Sequence, residues 1–243
     1  MMRGRRMDKV LYDLMDWAGI EEIVYSEAGN PERLLGPHLT EEGLVIQVFI
    51  PRAEAVTVKL ATGGKKYPME QQDEAGYFAV RIPRKTMAKY TLLITWDTGA
   101  EEEIHDPYAF GSQYTEEEKK KFSAGTYYDV YEKMGAHPMV IDGVSGVFFS
   151  VWAPCAMRVS VVGNFNTWDG RRHQMKRQGD SGIFELFIPG LQSGEIYKYE
   201  IKTHRGEPML KADPYANYAE LRPNNASIVW DTNRFAWTDD AWM

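Results

Sequence analysis

Cysteine is nearly missing from this chain: Cys155 is the single one in 243 residues. That excludes an intrachain disulfide and a cysteine-built metal cluster, and it accords with a reducing compartment. Long hydrophobic runs are missing as well, since no apolar stretch approaches the roughly 20 residues that a bilayer-spanning helix needs. Basic excess is a third absence. Lys and Arg number 28 against 35 Asp and Glu, for a net charge of −7, which removes the concentrated positive surface that nucleic-acid binding requires. The basic start Met1-Met2-Arg3-Gly4-Arg5-Arg6 runs into alternating polar and apolar residues, with neither an apolar h-region nor a small-residue cleavage site. The expectation is a cytoplasmic protein with no membrane and no nucleic-acid partner.

Catalytic patterns are equally scarce. The five histidines, His38, His105, His137, His173 and His204, form no i,i+4 pair and have no ligand cluster beside them. Glycoside chemistry needs two carboxylates at a defined separation across a cleft, and Glu101-Glu102-Glu103 reads instead as an exposed edge. No phosphate-cradling glycine loop or nucleophile elbow occurs. No catalytic residue, metal or cofactor is therefore expected.

What is present is a soluble globular composition, 44% hydrophobic and 26% charged, rich in aromatics at 13% with seven Trp. Such a surface suits the flat apolar faces of a sugar better than a phosphate. Asp8 to Trp17 carries Val10, Leu11, Leu14 and Met15 at helical spacing, with Asp8 as N-cap and Gly19 closing the helix. Thr115 to Lys121 opens like a capping box, Thr115 with Glu118, and introduces a helical connector. The remainder alternates with period 2. Leu44, Ile46 and Val48 followed by Val56 and Val58 return about 100 residues later as Val147, Phe149 and Val151 followed by Val159 and Val161. His105-Asp106-Pro107-Tyr108-Ala109 likewise returns as Ala212-Asp213-Pro214-Tyr215-Ala216. The chain is a tandem duplication. The expected fold is all-β, two tandem immunoglobulin-like β-sandwich domains each preceded by a short helical segment, spanning 1–113 and 114–243.

In the second copy, Val161-Val162-Gly163-Asn164-Phe165-Asn166-Thr167-Trp168-Asp169-Gly170, then Gly182-Ile183-Phe184-Glu185-Leu186-Phe187-Ile188-Pro189-Gly190, then Tyr197-Lys198-Tyr199-Glu200 closely resemble the accessory module of bacterial glycogen branching enzymes. That module is a family-48 carbohydrate-binding module, related to the glycogen-binding part of the AMP-activated kinase β subunit. The resemblance covers about residues 125–243; the first copy resembles, more weakly, the extra N-terminal sandwich of some branching enzymes. It implies an α-1,4-glucan partner, glycogen or starch-like, and a catalytic (β/α)8 barrel following this region as the other partner. The tail, with Trp230, Phe235, Trp237 and Trp242, resembles the approach to that barrel.

Site residues follow from the same resemblance. Trp168 lies among turn formers; its residue type alone favours packing, whereas the family uses the matching Trp as a platform for a glucose ring. Lys198, opposite in facing to Tyr197 and Tyr199, would be an ordinary surface lysine but matches the family's hydroxyl-contacting lysine. Asn225, or its neighbour Asn224, falls where the family places a sugar-binding asparagine, and Asn166 belongs to the Trp168 loop. The family's second aromatic platform has no counterpart in Glu207-Pro208-Met209-Leu210. The first copy has no Trp in Ala61-Thr62-Gly63-Gly64-Lys65-Lys66-Tyr67 and reads as a spacer. The readings that compete with an accessory unit of a branching enzyme are a free-standing glucan-targeting protein and an immunoglobulin-like interaction tandem.

Overall fold

The structure, a computed structural model, describes residues 8–232, so the basic start and Phe235, Trp237 and Trp242 of the tail lie outside the described residues. Asp8 caps α1 (Lys9–Asp13), its carboxylate accepting from the amides of Val10 and Leu11. The helix stops sooner than its apolar spacing predicts. Asp16 starts a second helix, α2 (Trp17–Val24), by accepting from Gly19 N at 3.1 Å. Gly19 is thus inside a helix and not a terminator; a Cβ there would come within 2.7 Å of Leu34 Cδ1.

Period-2 alternation becomes strand wherever it was read. The first copy contains β1 (Gly36–Thr40), β2 (Gly43–Phe49), β3 (Ala53–Leu60), β4 (Lys66–Pro68), β5 (Glu70–Asp73), β6 (Tyr77–Ile82), β7 (Tyr90–Trp96) and β8 (Glu101–Ile104). They form two antiparallel sheets, β1-β2-β6-β5 and β4-β3-β7-β8. Leu44, Ile46, Val48, Val56, Val58, Phe78 and Leu92 fill the space between them. The acidic triplet Glu101–Glu103 forms the exposed edge strand β8.

A connector helix, α3 (Glu116–Ser123), carries the capping box: Thr115 Oγ1 accepts from Glu118 N, and Glu118 Oε2 accepts from Thr115 N at 2.8 Å. The second copy follows with β9 (Gly135–Ile141), β10 (Val144–Trp152), β11 (Ala156–Gly163), β12 (Lys176–Arg177), β13 (Ile183–Pro189), β14 (Ile196–Thr203), β15 (Met209–Lys211), β16 (Tyr218–Ala219) and β17 (Ser227–Ile228). Its sheets are β12-β13-β10-β9 and β11-β14-β17-β16, with β15 also on β14.

The duplication holds to the atom. Tyr90 donates its hydroxyl to Asp106 Oδ2 at 2.6 Å, and Tyr197 donates to Asp213 Oδ2 at 2.5 Å. The other oxygen of each aspartate accepts an amide two residues on, Tyr108 N at 2.9 Å and Tyr215 N at 2.8 Å. Burial pushes both carboxyls up and both phenols far up, so in each pair the tyrosine keeps its proton and donates it to the aspartate inside the sandwich. His38 and His137 both turn Nε2 to the carbonyl three residues back.

The N-terminal helices join the two copies. Leu11, Met15, Ile20 and Ile23 pack in one apolar cluster with Val45, Phe49, Tyr77 and Ala79 from the outer face of the β2–β6 pair, and that cluster runs on into the interior of the second sandwich. Polar bonds repeat the connection: Tyr108 Oη donates to Gln174 O at 2.8 Å and Gln174 Nε2 to Ile23 O at 3.0 Å. No described helix is long and apolar enough to cross a membrane.

Candidate functional site

Strand β11 runs out at Gly163, and the chain turns through a short 3-10 segment, Asn164–Asn166. Thr167 and Trp168 then both take left-handed backbone, with φ of 56° and 60°. Two consecutive non-glycine residues in that region are strained and must be held from outside. Asn166 does the holding. It is fully buried; Oδ1 accepts from Gly163 N at 3.0 Å, while Nδ2 donates to Val161 O at 2.8 Å and to His173 Nδ1 at 2.9 Å. Every polar atom of the amide is engaged in these bonds, which shape the loop from beneath.

Trp168 is half-buried and sits outside the sandwich interior. Its backbone N donates to Gly163 O at 2.9 Å and its indole Nε1 to Asn164 Oδ1 at 2.9 Å, which fixes the plane of the ring. Burial works to raise the Asp169 carboxyl, but hydrogen bonds from the Arg171 guanidinium and amide outweigh it and hold the group below its usual range.

Beneath the loop lies Arg158, the bulkiest of the fully buried side chains, at 1% exposure. Nε donates to Ser26 O at 3.1 Å, Nη1 to Ser160 Oγ at 2.7 Å and Gly170 O at 3.3 Å, and Nη2 to Glu200 Oε1 at 2.7 Å. One guanidinium thereby ties together the N-terminal segment, the Trp168 loop, β11 and β14. Gly170 makes this possible, because a Cβ there would fall 2.1 Å from Glu200 Oε1.

These groups surround a cavity of about 290 Å³ whose lining includes Trp168, Tyr25, Ser26, Arg171, Lys202 and Pro208. A larger cavity of about 460 Å³ lies between the two sandwiches, but Tyr90 and Asp106 in its wall already bond each other.

Lys198 pairs across the ladder with Val162 and points away from the buried Tyr197 and Tyr199. Its Nζ donates to Asn225 Oδ1 at 2.5 Å, so these two expected residues come together. Lys198 sits one pleat repeat along β14 from Glu200, on the same face, and neither Lys198 nor Asn225 lines the Trp168 cavity. Asn224 turns aside, donating to Glu220 Oε1. Sequence reasoning missed Arg158, Tyr25 and Ser26. Arg158 stands in a strand at an outward position and reads as solvated; nothing local announces a partner 132 residues earlier.

Comparison with known proteins assigns both halves. Residues 133–216 match the family Carbohydrate-binding module 48 (Isoamylase N-terminal domain), and residues 16–108 match the alpha-1,4-glucan branching enzyme GlgB, N-terminal domain. The chain is 44% identical over 229 residues to the 1,4-alpha-glucan branching enzyme GlgB of Thermosynechococcus vestitus, covering 92% of this chain and 30% of that protein. It is 43% identical to the GlgB of Trichodesmium erythraeum over 92% of this chain and 29% of that one, and 42% identical to that of Rubrobacter xylanophilus over 92% and 31%. The chain thus spans about 30% of the length of these curated relatives.

Proposed function

We propose, from the premise that this chain belongs to the N-terminal region of GlgB-type 1,4-alpha-glucan branching enzymes, that it is an accessory unit that binds α-1,4-glucan and positions it for the reaction of the parent enzyme. The second sandwich (within 114–243) is the binding module and the first (within 1–113) the spacer on which the N-terminal helices seat. The observation that carries the reading is the Trp168 loop: a strained turn, held by a buried asparagine, keeps an indole out of the sandwich interior with its nitrogen already satisfied. An indole in that state presents an apolar face to a pyranose ring.

Lys198 and Asn225 form the second element of the reading. Their paired donor and acceptor, held together by the Lys198–Asn225 bond, suit the vicinal hydroxyls of a neighbouring glucosyl unit. The catalytic barrel of the parent and the glucan are the two partners, and the unit acts in the cytoplasm.

Stacking one indole on a sugar face removes on the order of 150 Å² from water, worth about 4 kcal/mol before immobilisation is subtracted. Single-site binding is accordingly expected in the high-micromolar to millimolar range. Linkage to the catalytic machinery converts such weak contacts into local concentration on a polymer with many equivalent sites. Native electrophoresis in gels containing glycogen tests the reading. The wild-type chain should be retarded and Trp168→Ala should migrate as in glycogen-free gels while keeping its melting temperature; a mutant retarded like wild type would remove Trp168 as the platform.

A further inference from the structure

We propose that the Trp168 subsite is completed by the N-terminal segment, with Tyr25 as its second aromatic face, so that a glucan chain bound there bridges the N-terminal helices and the second sandwich. The proposal rests on the glucan-binding reading of Trp168 and extends it to residues more than 130 positions away in sequence.

Three observations carry it. Tyr25, the C-cap of α2, is 71% exposed. It lines the same cavity as Trp168, so two aromatic residues border one space although the loop between β14 and β15 contributes only Pro208 there. Ser26, next to Tyr25, has φ of 58°, a strained conformation for a serine, of the kind that concentrates at ligand sites. The walls are built, not incidental: the Arg158 guanidinium binds Ser26 O and Gly170 O at once, and Lys202 Nζ donates to Glu27 Oε1 at 2.9 Å. The two sides of the cavity are therefore fixed relative to each other before any ligand arrives, which lowers the ordering cost of binding.

The test measures dissociation constants from retardation in glycogen gels and from titration with maltoheptaose for wild type, Trp168→Ala and Tyr25→Ala. Tyr25→Ala removes an exposed ring and should weaken binding about 5- to 10-fold at unchanged melting temperature. Maltoheptaose should also slow hydrogen exchange of amides in residues 20–28. If Trp168→Ala loses binding while Tyr25→Ala binds as wild type does, the N-terminal contribution is overturned and the Trp168 platform stands. If wild type binds neither probe, the glucan-binding reading falls and this inference with it.

Discussion

His173 and Asn166 share a hydrogen bond that fixes a protonation state. Asn166 Nδ2 is the donor, so His173 Nδ1 must hold a lone pair, and the imidazole is neutral. Burial, assisted by the neighbouring Arg172 charge, pushes the ring down to about 3 from an ordinary 6.5. The unfolded chain therefore binds a proton that the folded chain refuses between those values. The stability from this ring is fully present above pH 6.5 and is lost as pH falls toward 3, at up to about 1.4 kcal/mol per pH unit. Urea unfolding at pH 7.5 and 5.0 should show a fall of about 1–2 kcal/mol from this source, and His173→Gln should flatten the dependence. Asn166→Ala should cost about 1–3 kcal/mol, since it strands the Gly163 amide and the His173 nitrogen in the interior, and it should weaken glycogen retardation by freeing the loop. Asn166 was legible in the sequence as part of the Trp168 loop, but the bonds by which it closes the turn were not. An asparagine among turn formers looks the same from sequence whether its amide faces water or closes the turn from below.

Among the elements, strands were the readable part. A sandwich strand has one face toward the opposite sheet, so Leu44, Ile46 and Val48 alternate with residues of the other face and the period survives in one dimension. Pairing identical positions in the two copies was legible for the same reason, down to the Asp-Pro-Tyr turns that receive the Tyr90 and Tyr197 hydroxyls. Helix limits were less readable. The apolar spacing of Asp8 to Trp17 is continuous, but the chain restarts at Asp16 because its carboxylate caps Gly19 N and because α2 must turn to seat Ile20 and Ile23 on the sandwiches. Tertiary packing decided that break. The capping box of α3 was fully local and was read correctly; Thr115→Ala should destabilise the chain by about 1 kcal/mol, measured by denaturant titration. Glu118, where burial is outweighed by hydrogen bonds to Lys133 and Thr115, titrates down to about 2, so this connector should keep its cap to low pH.

For the whole molecule, the continuous apolar cluster from α1 and α2 through the β2–β6 face into the second sandwich predicts one cooperative unfolding event. Calorimetry should give a single transition whose calorimetric and van't Hoff enthalpies agree; two resolved transitions would mean that the copies melt independently. Ile23, completely buried in that cluster, should cost about 2–5 kcal/mol when changed to Ala, with the whole chain losing stability and not the N-terminal segment alone. None of this connection was legible beforehand, because it depends on contacts separated by 66, 132 and 151 positions that leave no periodic trace.

The reach of Arg158 sets an order in time. A chain emerging from the ribosome presents α2, Tyr25 and Ser26 well before the guanidinium that grips the Ser26 carbonyl and the carboxylate of Glu200 beside it are made. At typical synthesis rates of about 5–20 residues per second the delay is on the order of ten seconds. The first sandwich can assemble meanwhile, holding α1 through the Asp8–Arg81 pair. The Tyr25–Ser26 end of the N-terminal segment is seated only once Arg158 and Glu200 have followed it.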